Sequence, residues 1–154
     1  MSGPHGEAVP RQGTSDDIYR AVLNREYQEL RRVAGVDDLY RWRDRLVVQL
    51  ARPESEYARA MTPSCRAAGH PGDMQYAVFL RRWSKIIGEA IQRLQCQGRV
   101  ATQQPPASLA TAILAAVRGG VLLARVTDDA DTLRNALCLA FDQLCPDRES
   151  DEPG

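Results

Sequence analysis

The sequence predicts an all-α fold, an antiparallel bundle of about six helices, and three observations carry that prediction. Apolar residues recur at steps of three and four through most segments between residues 14 and 146. No segment shows convincing alternation with the period of two that a half-buried strand needs. Glycine or proline falls at most breaks in the pattern, as turn chemistry requires. The 154 residues, 44% hydrophobic and 26% charged, suffice for one domain with a core of its own.

Residues 1–13 (MSGPHGEAVPRQG) are too rich in Gly, Pro and polar groups to offset their ordering entropy, and are expected to form a disordered tail. Thr14 or Ser15 can cap a first helix, with Asp16 and Asp17 where the dipole favours negative charge. Tyr19, Leu23, Tyr27, Leu30 and Ala34 place one apolar stripe on a helix from about Asp16 to Ala34, which Gly35 ends. A second helix, Asp37 to Ala51, carries Leu39, Trp42, Leu46, Val47 and Leu50 on one face. The comb of Arg41, Arg43, Asp44 and Arg45 between them reads as a solvated face. Pro53 stops this helix, a short third piece spans Glu54 to Met61, and Thr62 to Gly72 is a loop by its Pro and Gly content.

The long helix Asp73 to Gln97 sets Tyr76, Phe79, Trp83, Ile87, Ala90 and Leu94 at helical spacing, and Gly98 is its stop. A connector with Pro105 and Pro106 follows. Ser108 to Val126 is apolar over more than half its circumference, so it must be widely buried. Its small residues Ala112, Ala116, Gly119 and Gly120 would let another helix approach closely. Asp128 is the expected cap of the last helix, whose Ala130, Leu133, Leu137, Ala140, Phe141 and Leu144 follow a three-four repeat. The folded domain is thus expected over 14–146, with an acidic disordered tail at 147–154.

Composition excludes several functions. Twenty cations, with Lys85 the sole lysine, balance twenty acids, so the chain alone is expected to bind DNA poorly. No uninterrupted apolar run approaches the roughly 18 to 20 residues of a bilayer span, and residues 1–13 lack a signal-peptide core. A cytoplasmic protein without membrane association is expected. Cys65, Cys96, Cys138 and Cys145 form no CxxC pair, and with only His5 and His70 they make no zinc pattern. The four cysteines are expected as small core hydrophobes, with a redox switch through Cys65 or Cys145 as the alternative. No nucleophile elbow, P-loop, zincin or dinucleotide motif occurs. The adjacent acids Asp16 and Asp17, or Glu54 and Glu56, sit near helix starts where capping explains them. Neither an enzyme, a cofactor nor a metal site is expected.

Four stretches, taken in order, resemble the C-terminal ligand-binding and dimerisation domain of TetR-type transcriptional regulators. They are the Gly13 to Leu23 helix start; the Trp42 helix and Thr62-Pro63-Ser64-Cys65 ahead of the Trp83 helix; Gly98-Arg99-Val100 with Pro106 to Ala110; and Gly119 to Thr127 followed by Asp131 to Leu137. The resemblance covers about residues 13 to 145. It departs from the family in that Ser15 stands where a lysine is frequent, and in that proline precedes Cys65. The family's DNA-reading helix-turn-helix, of roughly 45 to 60 residues, has only residues 1–13 in its place.

The resemblance implies a homodimer, a small apolar effector, and contact with DNA only through an upstream helix-turn-helix domain. The candidate effector site comprises Tyr27, Trp42, Leu46, Tyr57, Met61, Tyr76, Phe79 and Trp83, because aromatic and Met side chains on facing helices can line an apolar cavity. Taken singly, each of these residues suits an ordinary core better than a pocket; the resemblance favours the set as a site. Ala112, Ala116, Gly120, Leu123, Leu133, Leu137, Ala140 and Phe141 are the candidate seam of a two-fold four-helix bundle, against packing within one chain. The expected function is effector binding and dimerisation in a TetR-like repressor. The alternative is a headless interaction protein that pairs with a full-length regulator and blocks its DNA binding.

Overall fold

The computed structural model describes residues 15–62 and 71–145. The two expected tails, Cys65, His70 and most of the loop expected over 62–72 lie outside them. The described residues form six helices and no strand, as the apolar periodicity predicts: α1 (Ser15–Leu30), α2 (Val36–Ala51), α3 (Glu56–Ala60), α4 (Pro71–Cys96), α5 (Pro106–Thr127) and α6 (Asp131–Asp142).

Helix α1 begins with Asp16 and Asp17 in its first turn and stops at Leu30, four residues short of the expected end. Two partners explain the early stop. Arg93 of α4 donates to the carbonyls of Leu30 (2.8 Å) and Val33 (3.0 Å), taking acceptors that would otherwise continue the helix. The Asp38 carboxylate then accepts from the Ala34 N–H at 2.9 Å and fixes the turn into α2. Pro53 lies in the turn after α2, and Ser55 caps α3 by accepting from the Ala58 N–H.

Helix α4 ends where Gly98 takes φ +66°, a left-handed conformation that glycine adopts without a Cβ penalty. The N–H groups of Gly98 and Arg99 reach back to the carbonyls of Gln95 and Leu94, closing a Schellman turn. The connector is pinned by the Gln95 amide, which donates to the carbonyls of Thr102 and Gln104. Helix α5 opens with Pro106 in its first turn, where the missing N–H costs nothing.

Asp128 is not the cap of α6: that position falls to Ala130, which makes no side-chain cap bond. Asp128 instead terminates α5 in the left-handed conformation (φ 54°), which Asp tolerates better than most residues. Asp129, the residue before that cap position, braces the first turn, its two carboxylate oxygens accepting from the Asp131 N–H (3.0 Å) and the Thr132 hydroxyl (3.2 Å).

Helices α4 and α5 run antiparallel, since Gly88 faces Pro106 and Ala110 while Tyr76 meets Arg118 near the other end. The short 128–130 turn makes α5 and α6 an antiparallel hairpin. Helix α1, in contrast, lies parallel to α4: Asp16 meets Gln75, Tyr19 stacks on Phe79, Glu26 meets Trp83 and Leu30 meets Arg93. Trp42, Phe79, Trp83 and Phe141 are the largest fully buried side chains, and they join α2, α4 and α6 in one core.

Three details of the apolar pattern turn out differently. In α1 the buried line is Val22, Glu26 and Leu30, so the helix is rotated by about one residue from the expected stripe and Tyr27 is 50% exposed. Cys96 is exposed and Cys138 and Cys145 are half-buried free thiols, so none of the three occupies the core position expected of it. Within the Arg comb, Arg43 is not simply solvated. It lies over the Tyr40 ring at 4.8 Å and near Phe141, bridging α2 to α6.

Helix α5 is long and apolar enough to cross a membrane by length and composition alone. Its Leu109, Ile113, Val117 and Val121 are buried in the core of the bundle. Gly120 has a packing reason, because a Cβ there would lie 2.9 Å from Leu133 Cδ1 and 3.1 Å from Leu133 Cα.

Candidate functional site

The parallel pairing of α1 and α4 leaves a groove of about 590 Å³ along their outer side. Residues three and four apart share a helix face, so Asp16, Tyr19, Arg20, Leu23, Asn24 and Tyr27 of α1 form one wall. Met74, Val78, Phe79, Arg82 and Ile86 contribute most of the other, with Lys85 and Glu89 at its end. The floor is aromatic. Tyr19 stacks on Phe79 with centroids 4.5 Å apart, and Phe79 leans on Trp83 at 5.6 Å. Tyr76 packs at 6.1 Å from Tyr19 and is held from outside by Arg118 of α5, which covers its ring at 4.8 Å and donates to its hydroxyl.

Burial raises the hydroxyl pKa of both tyrosines; Arg118 opposes the rise at Tyr76, while Tyr76 and Asp16 add to it at Tyr19. Both phenols therefore stay protonated and neutral beneath the groove.

Under this floor sits a buried carboxylate. Glu26 accepts from the indole N–H groups of Trp42 (2.8 Å) and Trp83 (3.2 Å) and from the Tyr57 hydroxyl (2.7 Å). Burial pushes its carboxyl up from 4.5 to about 7, against the three hydrogen bonds that favour the charged form. Burial, and then the Glu26 charge, raises the Tyr57 phenol. Each donor is satisfied, so the cluster locks α1, α2, α3 and α4 at one point. A smaller cleft of about 300 Å³ reaches Glu26, Leu46 and Tyr57 from the other side, rimmed by Arg25, Glu29, Asp44 and Arg45.

The eight expected effector residues therefore separate. Tyr27 and Phe79 line the main groove, and Leu46 and Tyr57 border the smaller cleft while being almost wholly buried. Trp42, Met61 and Trp83 are core residues, and Tyr76 is half-buried beside Tyr19. Reasoning from residue type missed Tyr19, Leu23, Val78, Arg82 and Ile86. Their periodicity was visible, but only the parallel placement of α1 and α4 makes them walls of one groove.

The expected seam separates likewise. Gly120, Leu133, Leu137 and Phe141 are buried within the chain, because α6 packs its apolar face onto α5 and α2; Ala116 and Ala140 are half-buried. Ala112 and Leu123 are exposed, and beside them lie Leu122 (62% exposed), Val126 (75%) and, on α6, Leu139 (69%). Ala112, Ala115, Gly119, Leu122 and Val126 step by three and four, a stripe along α5 that the chain does not cover.

Among the described residues no cluster of three or more His, Cys, Asp or Glu is arranged to hold a metal ion. The groove offers apolar contact, aromatic stacking and hydrogen bonding, the means by which small molecules are held. Comparisons with protein-family models, curated proteins and solved structures find no match to this chain.

Proposed function

We propose that this chain is the effector-binding and dimerisation domain of a TetR-like transcriptional regulator acting as a repressor. A small, largely apolar molecule occupies the α1–α4 groove, and two copies pair across α5 and α6. The observation that carries the reading is the groove: its volume of about 590 Å³ is that of a small-molecule site, and its floor is apolar and aromatic. The exposed stripe of α5 supports the second half, since an apolar line at three-four spacing on a helix hairpin suits a two-fold four-helix bundle.

Effector and dimer are joined through α4, which walls the groove and packs on α5. Arg118 is the tie, running from α5 to Tyr76, which packs against the groove residues Tyr19 and Phe79. A ligand with different affinity for two subunit arrangements shifts their balance, and in the full regulator that shift changes DNA affinity reciprocally. DNA contact belongs to a helix-turn-helix domain and not to α1–α6. Titration with the neutral dye N-phenylnaphthylamine tests the groove. The expected result is saturable binding at one site per chain, lost in Val78→Trp, which fills the groove from a half-exposed position. Binding that persists in that variant, or no saturable binding at all, would overturn the assignment.

A further inference from the structure

The charges along the groove are not evenly matched, and their arrangement selects a ligand class. Its two acids lie at opposite ends and are both engaged: Asp16 accepts from the Gln75 amide (3.4 Å) and Glu89 pairs with Lys85 (3.8 Å). Between them stand Arg20 on the α1 wall and Arg82 on the α4 wall. Neither guanidinium has a hydrogen bond, an ion pair or a ring contact among the described residues, and neither Asp16 nor Glu89 turns toward them. The register of the parallel pair puts Arg20 and Arg82 about one helical turn apart along the trough, across from each other. Leu23 and Phe79 line the groove beside them, and Ile86, one turn past Arg82, continues the apolar lining together with Tyr27.

The geometry points to a free anionic amphiphile as the ligand of this groove: a single apolar chain or ring system lying on Leu23, Phe79 and Ile86, with a carboxylate or comparable anion gripped between Arg20 and Arg82. This inference rests on the reading of the groove as the effector site and names the chemistry of its occupant. Guanidinium groups suit the role because their planar fork meets both oxygens of a carboxylate, and because they hold their charge at any physiological pH. A trough about 20 Å long, from the helical rise between Met74 and Glu89, accommodates a medium-length chain lying along it. A cationic amphiphile would meet two unpaired positive charges, and a neutral one would leave both unanswered.

The test uses three probes with one apolar tail, decanoate, decanol and decyltrimethylammonium, titrated below their micelle concentrations and followed by calorimetry and tryptophan fluorescence. The Trp83 ring against the Phe79 floor is the internal reporter. Decanoate is expected to bind at least roughly tenfold more tightly than decanol, the ratio that charge-assisted hydrogen bonds support. The double variant Arg20→Gln/Arg82→Gln is expected to bring decanoate down to the affinity of decanol while leaving decanol and the melting temperature unchanged, both side chains being exposed. Decanol or decyltrimethylammonium binding as tightly as decanoate would overturn this inference and leave the effector site standing. Failure of all three to bind would overturn both. Vesicles of phosphatidylglycerol should not co-sediment with the chain; co-sedimentation abolished by the double variant would reassign the two arginines to a membrane surface and overturn the free ligand.

Discussion

Replacing Glu26 by Gln isolates the strongest electrostatic demand in the core. Gln is the neutral isostere: its carbonyl oxygen accepts the indole N–H groups of Trp42 and Trp83, and its amide N–H donates to the Tyr57 hydroxyl. In the folded chain the Glu26 carboxyl titrates at about 7, against 4.5 for its ordinary value. Between those two values the folded state holds a proton that the unfolded state has released, so stability falls as pH rises through that window and is level on either side. At about 1.4 kcal/mol per pKa unit the loss amounts to about 3 kcal/mol, the cost of keeping an ionised carboxylate in the core without a cation. Urea denaturation of wild type and Glu26→Gln at pH 4.5, 6 and 8 measures it, the variant cancelling the contributions of all other groups. The two proteins are expected to be nearly equally stable at pH 4.5, with the variant ahead by about 3 kcal/mol at pH 8. For a chain of this size that is about 6 to 12 °C in Tm. Parallel pH curves would refute the reasoning, since they would mean that Glu26 titrates alike in both states.

Gly120→Ala forces a Cβ against Leu133 and is expected to cost about 1 to 3 kcal/mol, read by thermal melting. Arg93→Ala removes the donor to two carbonyls at the end of α1, and should cost about 1.5 to 3 kcal/mol with faster hydrogen exchange over residues 27–34. Leu122→Glu/Val126→Glu should abolish the proposed dimerisation while leaving helix content intact, because both side chains are exposed in the single chain. Circular dichroism alongside size-exclusion chromatography separates that result from unfolding.

What the sequence made legible follows from how strongly each signal is written in local chemistry. The six helices were readable because a three-four apolar repeat and the Gly and Pro breaks are properties of single segments. Gly98 was readable as a stop for the same reason. Helix rotation was not, because Tyr19, Leu23 and Tyr27 form as good a stripe as Val22, Glu26 and Leu30 if Glu26 is assumed to face water. Only the convergence of Trp42, Tyr57 and Trp83, from three other helices, makes a buried carboxylate tolerable there. The end of α1 was misplaced for a like reason, as Arg93 captures its carbonyls from 60 or more residues away.

The candidate site was half legible. Choosing by residue type favoured the tryptophans, which are large enough to be claimed by the core, while Leu23, Val78 and Ile86 carry no chemical mark. The same holds for the seam: Leu133, Leu137 and Phe141 are the better apolar stripe and are used within the chain. Leu122, Val126 and Leu139 are left outside it.

The mass of the chain in solution bears most directly on the proposal that it is a regulator's dimerisation domain, since helix-turn-helix regulators read paired half-sites as two-fold dimers. One chain weighs 17.1 kDa. Light scattering at micromolar concentration should return twice that value, and a species of a single chain's mass would contradict the account.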